Sequence, residues 1–159
     1  MNIDLVIAYV DNQDPVWRKQ FIDFCRQRNM NQKICELAGD RYQDIGLINY
    51  QLKLVEKNMP WINKIYLLLS NIEQAPKNLS DKVQIVLHKD FIFNEYLPTF
   101  NSTTIEMFLW NIKDLSEYFI YANDDMLPTK ELSEKDFFEI GMIKINFKSD
   151  YLRNENVFR

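Results

Sequence analysis

An α/β fold with a mostly parallel sheet flanked by helices is predicted by two features of the sequence. Strand-length apolar runs recur at residues 3–10, 64–70, 83–87 and 119–122, with helical periodicity at 16–28, 46–58 and 103–112 between them. The first run is continuous rather than alternating, the pattern of a strand covered on both faces. Strands separated by helices imply βαβ units, right-handed crossovers and strand carboxyl ends gathered along one edge.

Each element has its own signal. Ile3 to Val10 reads as a buried strand ending at Asp11. Asp14 before Pro15 starts a helix, with Asp as N-cap and Pro at the first helical position. That helix runs from Val16 to about Arg28 and places Trp17, Phe21 and Phe24 on one face. Met30 to Gly39 has no clear period and suits a substrate-facing loop. From about Gly46 to Asn58, Ile48, Leu52 and Val55, with Met59 just beyond, mark the core side of a helix that Pro60 ends. Lys64–Ser70 and Val83–Leu87 read as strands, joined by a polar loop containing Pro76. Thr103 to Ile112 reads as a helix with Ile105, Phe108, Leu109 and Ile112 inward. The run Phe119-Ile120-Tyr121-Ala122 then stops at Asn123-Asp124-Asp125, because Asn and Asp are poor strand formers. Ser133 and Asp136 have capping-box spacing, and residues 142–147 suggest a last strand.

Length and composition narrow the classes. A chain of 159 residues suits one domain, taken as 1–147 with a polar tail at 148–159. Apolar residues make up 47% of the chain, enough for a packed core. A net charge of −4 with no basic run argues against a nucleic-acid partner and against an anionic-membrane patch. Cys25 and Cys35 with one histidine cannot form a His/Cys zinc set, and reduced thiols in a cytoplasmic protein are the simplest account. Residues 5–10 are too short for a signal peptide, and nothing approaches a membrane span. With three glycines there is no Gly-rich phosphate loop.

The candidate chemistry lies at strand ends and helix starts. Asn123-Asp124-Asp125 reads either as a turn that caps its own backbone or as hard oxygen ligands for Mg²⁺ or Mn²⁺. Successive side chains on an extended strand point to opposite faces, so only a turn would bring both carboxylates to one ligand. Asp11 reads as a loop cap or as an acceptor for a ribose or base. Glu106 stands three residues after Thr103, a capping-box spacing, or offers a carboxylate as general base or substrate ligand. Arg41 reads as a phosphate contact or an exposed ion-pair partner. Asn101 and Ser102 cap a helix or bind substrate, and His88 is a strand-end histidine or a base or phosphate contact. Neither thiol has a base nearby in sequence.

Four ordered segments resemble the Stealth family of hexose-1-phosphate transferases, bacterial capsule and cell-wall polymer enzymes related to the animal N-acetylglucosamine-1-phosphotransferase. They are Ile3–Asp11 with Asp14-Pro15-Val16-Trp17; Arg41-Tyr42-Gln43-Asp44 through Glu56-Lys57-Asn58 to Pro60-Trp61-Ile62; Leu97–Ser102 with Ile105-Glu106; and Leu115–Phe119 through Asn123-Asp124-Asp125 to Asp136-Phe137-Phe138. The resemblance implies a Rossmann-like nucleotide-sugar fold of the glycosyltransferase-A kind. It further implies transfer of a sugar 1-phosphate from a donor such as UDP-N-acetylglucosamine to a polysaccharide hydroxyl. Asp124 and Asp125 would hold Mg²⁺ or Mn²⁺. Glu106 and Asp125 would be catalytic, and Asp11, Arg41, Asn101, Ser102 and Asn123 would bind substrate. Nucleotide sugar, polysaccharide acceptor and other capsule-synthesis proteins are the implied partners. The implied location is the cytoplasm, including the inner face of the membrane, without insertion. Gln43, Leu47, Asn49 and Thr103 depart from the family pattern at positions where basic or polar residues are usual. Further family regions are expected beyond Arg159, so the chain is expected to be the N-terminal part of a longer enzyme. An ordinary glycosyltransferase, or a non-catalytic nucleotide-sugar-binding module, is the alternative.

Overall fold

The apolar run nearest the amino terminus becomes an inner strand of the sheet. In the computed structural model, which describes residues 2–31, 33, 35, 42–139 and 142–143, β1 spans Ile3–Ala8. It is joined by β2 (Ile65–Leu69), β3 (Val83–Leu87) and β4 (Tyr118–Asn123) in one parallel sheet of order β3–β2–β1–β4. Every residue of β2 and all but the last of β1 are buried, as a continuous apolar run requires when both faces are covered. The chain steps outward from β1 to β3, then returns to the far side of β1 for β4. This is a Rossmann-like order, and it makes the β1–β4 boundary the topological switch point. Ala8 pairs with Asn123 there, so the two strand exits are neighbours.

Helices and loops cover the two faces. Helix α1 (Pro15–Gln27) is capped by Asp14, whose carboxylate oxygens accept from the Val16 amide at 3.2 Å and the Trp17 amide at 3.0 Å. Helix α2 (Leu47–Asn58) begins after Gly46, whose φ of +85° is a left-handed value that glycine adopts without a Cβ penalty. Its Ile48, Leu52 and Val55 pack with Ile3, Leu5 and Ile7 of β1 and with Ile65, Leu67 and Leu69 of β2. On the opposite face Val6, Tyr66 and Leu68 meet Phe91, Ile92, Leu109 and Ile112. A third cluster joins Trp17, Phe21 and Cys25 of α1 to Cys35, Tyr42 and Phe100.

Several boundaries differ from the sequence reading. The predicted helix over 103–112 divides into α4 (Ser102–Met107), which follows the short α3 (His88–Phe91), and a 3₁₀ turn at Leu109–Asn111. Phe108 leaves helical geometry at φ −107°, ψ 4°, and packs its ring on Phe93 and Tyr96, each 5.3 Å away between centroids. The tighter turn still buries Leu109 and Ile112, so the apolar period outlasts the helix that it suggests. Ser133 opens α5 (Glu134–Phe137), and its amide and hydroxyl both donate to Asp136. Met142–Ile143 form β6 against β5 (Phe138–Glu139), a separate two-stranded antiparallel ladder. The remainder of the predicted last strand and the 148–159 tail lie outside the described residues.

Candidate functional site at the carboxyl edge of the sheet

A cavity of about 670 Å³ opens along the carboxyl edge, within the usual range of small-molecule sites. It runs from Ser70 and His88, just after β2 and β3, past Tyr9 and Val10 after β1, to Asn123-Asp124-Asp125 at the end of β4. Trp17, Tyr42 and Phe100 form an aromatic wall, with Trp17 centroids 5.1 Å from Tyr42 and 5.4 Å from Phe100. The Tyr42 hydroxyl donates to the Phe100 carbonyl at 2.8 Å, tying the loop before α2 to the loop before α4.

Beyond β4 the backbone turns, and the Met126 amide donates to the Asn123 carbonyl at 3.2 Å. That turn brings Asp124 and Asp125 together on the cavity lining, which an extended strand could not do. Helix α2 clamps it from below. The fully buried Gln51 side-chain amide donates to the carbonyls of Asn123 at 2.7 Å and Met126 at 2.8 Å. Seven residues on, Asn58 donates to the Pro128 carbonyl at 2.6 Å, and Trp61 donates to that of Leu132 at 2.6 Å. The segment from the acidic turn to Leu132 is therefore laid along one face of α2.

Burial, with the carboxylates of Asp125 and Asp44, holds the Asp124 carboxyl above its ordinary value, while the Val10 backbone partly opposes this. Asp44 accepts from the Gly46 and Leu47 amides through Oδ1 at 2.9 and 3.2 Å, so it starts α2. Its Oδ2 accepts from the Tyr9 hydroxyl at 2.9 Å. Burial and the Asp44, Asp11 and Asp124 carboxylates push that phenol far above the ordinary tyrosine range. Three carboxylates thus line one end of a cleft in which, among the described residues, no Lys or Arg takes part.

The sequence-predicted residues divide. Asn101, Ser102, Asn123, Asp124 and Asp125 all line the cavity. Asn101 also caps α4, accepting from the Thr103 amide at 2.9 Å, so the Thr103–Glu106 capping-box alternative is not the cap that forms. Asp11 lies outside the lining and its Oδ1 accepts from the Gln13 amide at 2.8 Å, the loop-cap geometry. Glu106 is exposed and also outside the lining; with burial as the larger cause, its carboxylate helps push the Tyr121 phenol up to about 12. Arg41 lies outside the described residues. Cys25 and Cys35 are free and buried, and burial with Cys35 alongside pushes the Cys25 thiol up to about 11, away from nucleophilic use.

Sequence reasoning missed Asp44, Tyr9 and Gln51 as site residues. A buried glutamine between apolar helix positions was the available signal for Gln51. The roles of Tyr9 and Asp44 depend on a contact spanning 35 residues. Among the described residues no group of three or more His, Cys, Asp or Glu is placed to hold a metal ion. A Mg²⁺ or Mn²⁺ site built with substrate phosphates needs only one or two carboxylates, so Asp124 and Asp125 fit that smaller donor set. The Asp124 carboxyl, raised mainly by burial and further by the Asp125 and Asp44 carboxylates, fits it too, since a cation alongside would favour its charged form.

A Rossmann-like α/β domain with an acidic cleft at its switch point is the class that this fold and site define. The chain belongs to the Stealth family, whose conserved region 2 (Stealth protein CR2) matches residues 41–145. It is 37% identical over 153 residues to a capsular polysaccharide phosphotransferase of Actinobacillus suis, covering 94% of this chain and 41% of that protein. It is 38% identical over 145 residues to capsular polysaccharide phosphotransferase WcwK of Streptococcus pneumoniae, covering 89% and 42%. An exopolysaccharide phosphotransferase of Lactiplantibacillus plantarum is 35% identical over 147 residues, with 90% and 41% covered. The chain thus spans about two fifths of the length of these three relatives. Among the described residues, no helix is long and apolar enough to cross a membrane.

Proposed function

We propose that this chain is the donor-binding part of a capsular polysaccharide phosphotransferase, which moves a sugar 1-phosphate from a nucleotide sugar to a polysaccharide hydroxyl. The observation that carries this is the meeting of Asp44, Asp124 and Asp125 at the switch-point cleft, where open α/β sheets bind nucleotides. The printed names of the relatives support the phosphotransfer class.

In the reaction, the acceptor oxygen forms a bond to the phosphorus that bears the sugar. The pyrophosphate P–O bond breaks, nucleoside monophosphate leaves, and the hydroxyl proton passes to a carboxylate. Asp124 and Asp125 would hold a divalent cation, Mg²⁺ or Mn²⁺, which when bound neutralises phosphate charge and so lowers the cost of charge redistribution. Asn101, Ser102 and Asn123 line the same cleft and orient substrate oxygens. Glu106, exposed at the edge of α4, is the candidate proton acceptor on the acceptor side, and Arg41 the candidate phosphate contact. Asp11, already held by the Gln13 amide, has a second carboxylate oxygen to offer a ribose hydroxyl. The acceptor polysaccharide and companion capsule-synthesis proteins would meet the enzyme in the cytoplasm, at or near the membrane face.

Calorimetric titration with UDP-N-acetylglucosamine, with and without Mn²⁺, tests the reading. Binding should require the cation and should weaken at least about tenfold in Asp124→Asn and Asp125→Asn, the loss of one charge-assisted contact. Unchanged affinity in both variants would refute the assignment. In a longer form of the enzyme, release of UMP supports phosphotransfer, and release of UDP supports an ordinary glycosyltransferase instead.

A further inference from the structure

The aromatic wall of the cleft has a packed side and an open side. Phe100 packs against α1, with its ring centroid 5.4 Å from Trp17, 5.0 Å from Phe21 and 5.1 Å from Phe24. Tyr42 leans on the same helix, 5.1 Å from Trp17 and 5.7 Å from Phe21. Trp17 and Phe21 are buried, whereas Tyr42 and Phe100 each keep part of their surface exposed. Both also line the cavity, so with α1 behind them the exposed part is turned to the cleft. The bond from the Tyr42 hydroxyl to the Phe100 carbonyl holds the two residues together. Beside them on the lining stand Thr99, Asn101 and Ser102, polar and uncharged, while Asp124 and Asp125 reach the cleft from the end of β4.

We infer that this wall is the nucleobase subsite of the cleft, with the base of the bound nucleotide sugar stacked on Phe100 and Tyr42. This rests on the donor-binding reading above and adds to it a direction: base toward α1, pyrophosphate toward the acidic turn after β4. An uncharged aromatic face offers nothing to a phosphate, and among the described residues no Lys or Arg lines the cleft. A base is flat, presents a π-face whatever its identity, and stacks on such a surface without needing hydrogen-bond readout. Rings already fixed by α1 and by the Tyr42 bond lose little freedom when they are covered. The transferred sugar must stay within reach of the acceptor, so the end packed against α1 suits the part that leaves as nucleoside monophosphate.

The probes are the four nucleoside monophosphates, with ribose 5-phosphate as the base-free control and N-acetylglucosamine 1-phosphate as the sugar control, each with diamagnetic Mg²⁺. On the unmodified protein, the base protons of at least one nucleotide should move upfield on binding by ring current, further than its ribose protons. Phe100→Leu stays apolar but has no π-face, and should bind that nucleotide about fivefold more weakly or worse, the worth of one base–aromatic stack. Its affinity for ribose 5-phosphate and N-acetylglucosamine 1-phosphate should be unchanged. The proton shifts on the unmodified protein decide the matter if the Leu variant does not fold. A nucleotide bound without upfield-shifted base protons, or a loss that the base-free probe shares, overturns the assignment while leaving the donor-binding reading intact. A loss confined to N-acetylglucosamine 1-phosphate overturns it too, giving the wall to the transferred sugar. Failure of the unmodified protein to bind any nucleotide overturns both readings.

Discussion

Gln51 offers the sharpest link between sequence and site. It sits at a core-facing position of α2, fully buried, and its one amide group holds both ends of the acidic turn. Gln51→Met keeps the length and removes the polar head. Two neutral hydrogen bonds are lost at about 1 kcal/mol each, offset by removal of the unpartnered Gln51 Oε1. The net cost should be about 1–2 kcal/mol, with the denaturant midpoint falling and the m-value unchanged. The local effect should be larger than the global one. The turn keeps the Met126-to-Asn123 backbone bond at 3.2 Å and the Val10 backbone contact to the Asp124 carboxylate, but loses its tie to α2 at Asn123 and Met126. Met126 amide exchange should therefore become at least about tenfold faster under native conditions. Donor binding with Mn²⁺ should weaken alongside it, because Asp124 and Asp125 must then be ordered at the moment of binding. Gln51→Glu should be worse on both counts, placing a carboxylate against two carbonyls beneath an already acidic turn. A Met variant with unchanged midpoint and unchanged Met126 exchange would show that the turn holds itself, and would refute the clamp.

Three further outcomes follow. Burial lowers the His88 folded-state value to about 4, below the unfolded one, so the unfolded chain binds the extra proton. Its effect on stability is absent above about pH 6.5 and grows as pH falls toward 4, reaching at most about 3 kcal/mol lost. Urea midpoints of His88→Gln should fall less steeply than the unmodified protein's between pH 7 and 4.5; parallel curves would contradict a neutral buried ring. Asp4, fully buried at the amino edge, accepts from Asn63 Nδ2 at 2.8 Å, the Lys64 amide at 3.1 Å and the Ser116 amide at 2.8 Å. Asp4→Ala should therefore cost about 3–5 kcal/mol in urea denaturation, and a loss below 1 kcal/mol would mean water replaces all three bonds. Finally, screening should act in opposite directions on UMP binding. Added KCl should strengthen binding without divalent ions, where carboxylates repel phosphate, and weaken it with Mn²⁺; the same sign in both titrations would exclude a carboxylate-lined phosphate site.

The parallel sheet was legible because β1 and β2 are buried on both faces, which gives runs as continuous as LVIA and IYLLL. Those runs are short enough, and rich enough in β-branched and aromatic residues, to read as strands rather than buried helix. The β1 and β4 exits were legible as breaks in those runs. Their adjacency was not, since strand order depends on which crossover passes which face, and no local signal encodes that. Phe108 shows another limit: periodicity reports which side chains are buried, and a short helix followed by a 3₁₀ turn buries the same set. The cleft was half legible. Asn101, Ser102 and the Asn-Asp-Asp turn announce themselves as breaks in regular structure, while Tyr9 and Asp44 matter through one another across 35 residues.

Hydrogen-bond accounting then separates acidic residues that sequence could only list side by side. Asp4 and Asp14 spend both carboxylate oxygens on amides, and Asp44 spends its two on helix-start amides and the Tyr9 hydroxyl. Asp11 spends one on the Gln13 amide. Asp125, by contrast, makes no hydrogen bond or ion pair among the described residues, although its neighbours in the turn are held by Gln51. The backbone is fastened and the carboxylate is left unspent, beside an Asp124 whose charge is already disfavoured by burial. A turn selected for stability alone would gain from losing one of these two charges. Asp125→Asn should accordingly raise the denaturation midpoint slightly in metal-free buffer while weakening cation-dependent donor binding at least about tenfold. That opposition is the signature of a ligand-binding residue, and a cap would instead lose stability and leave binding unchanged.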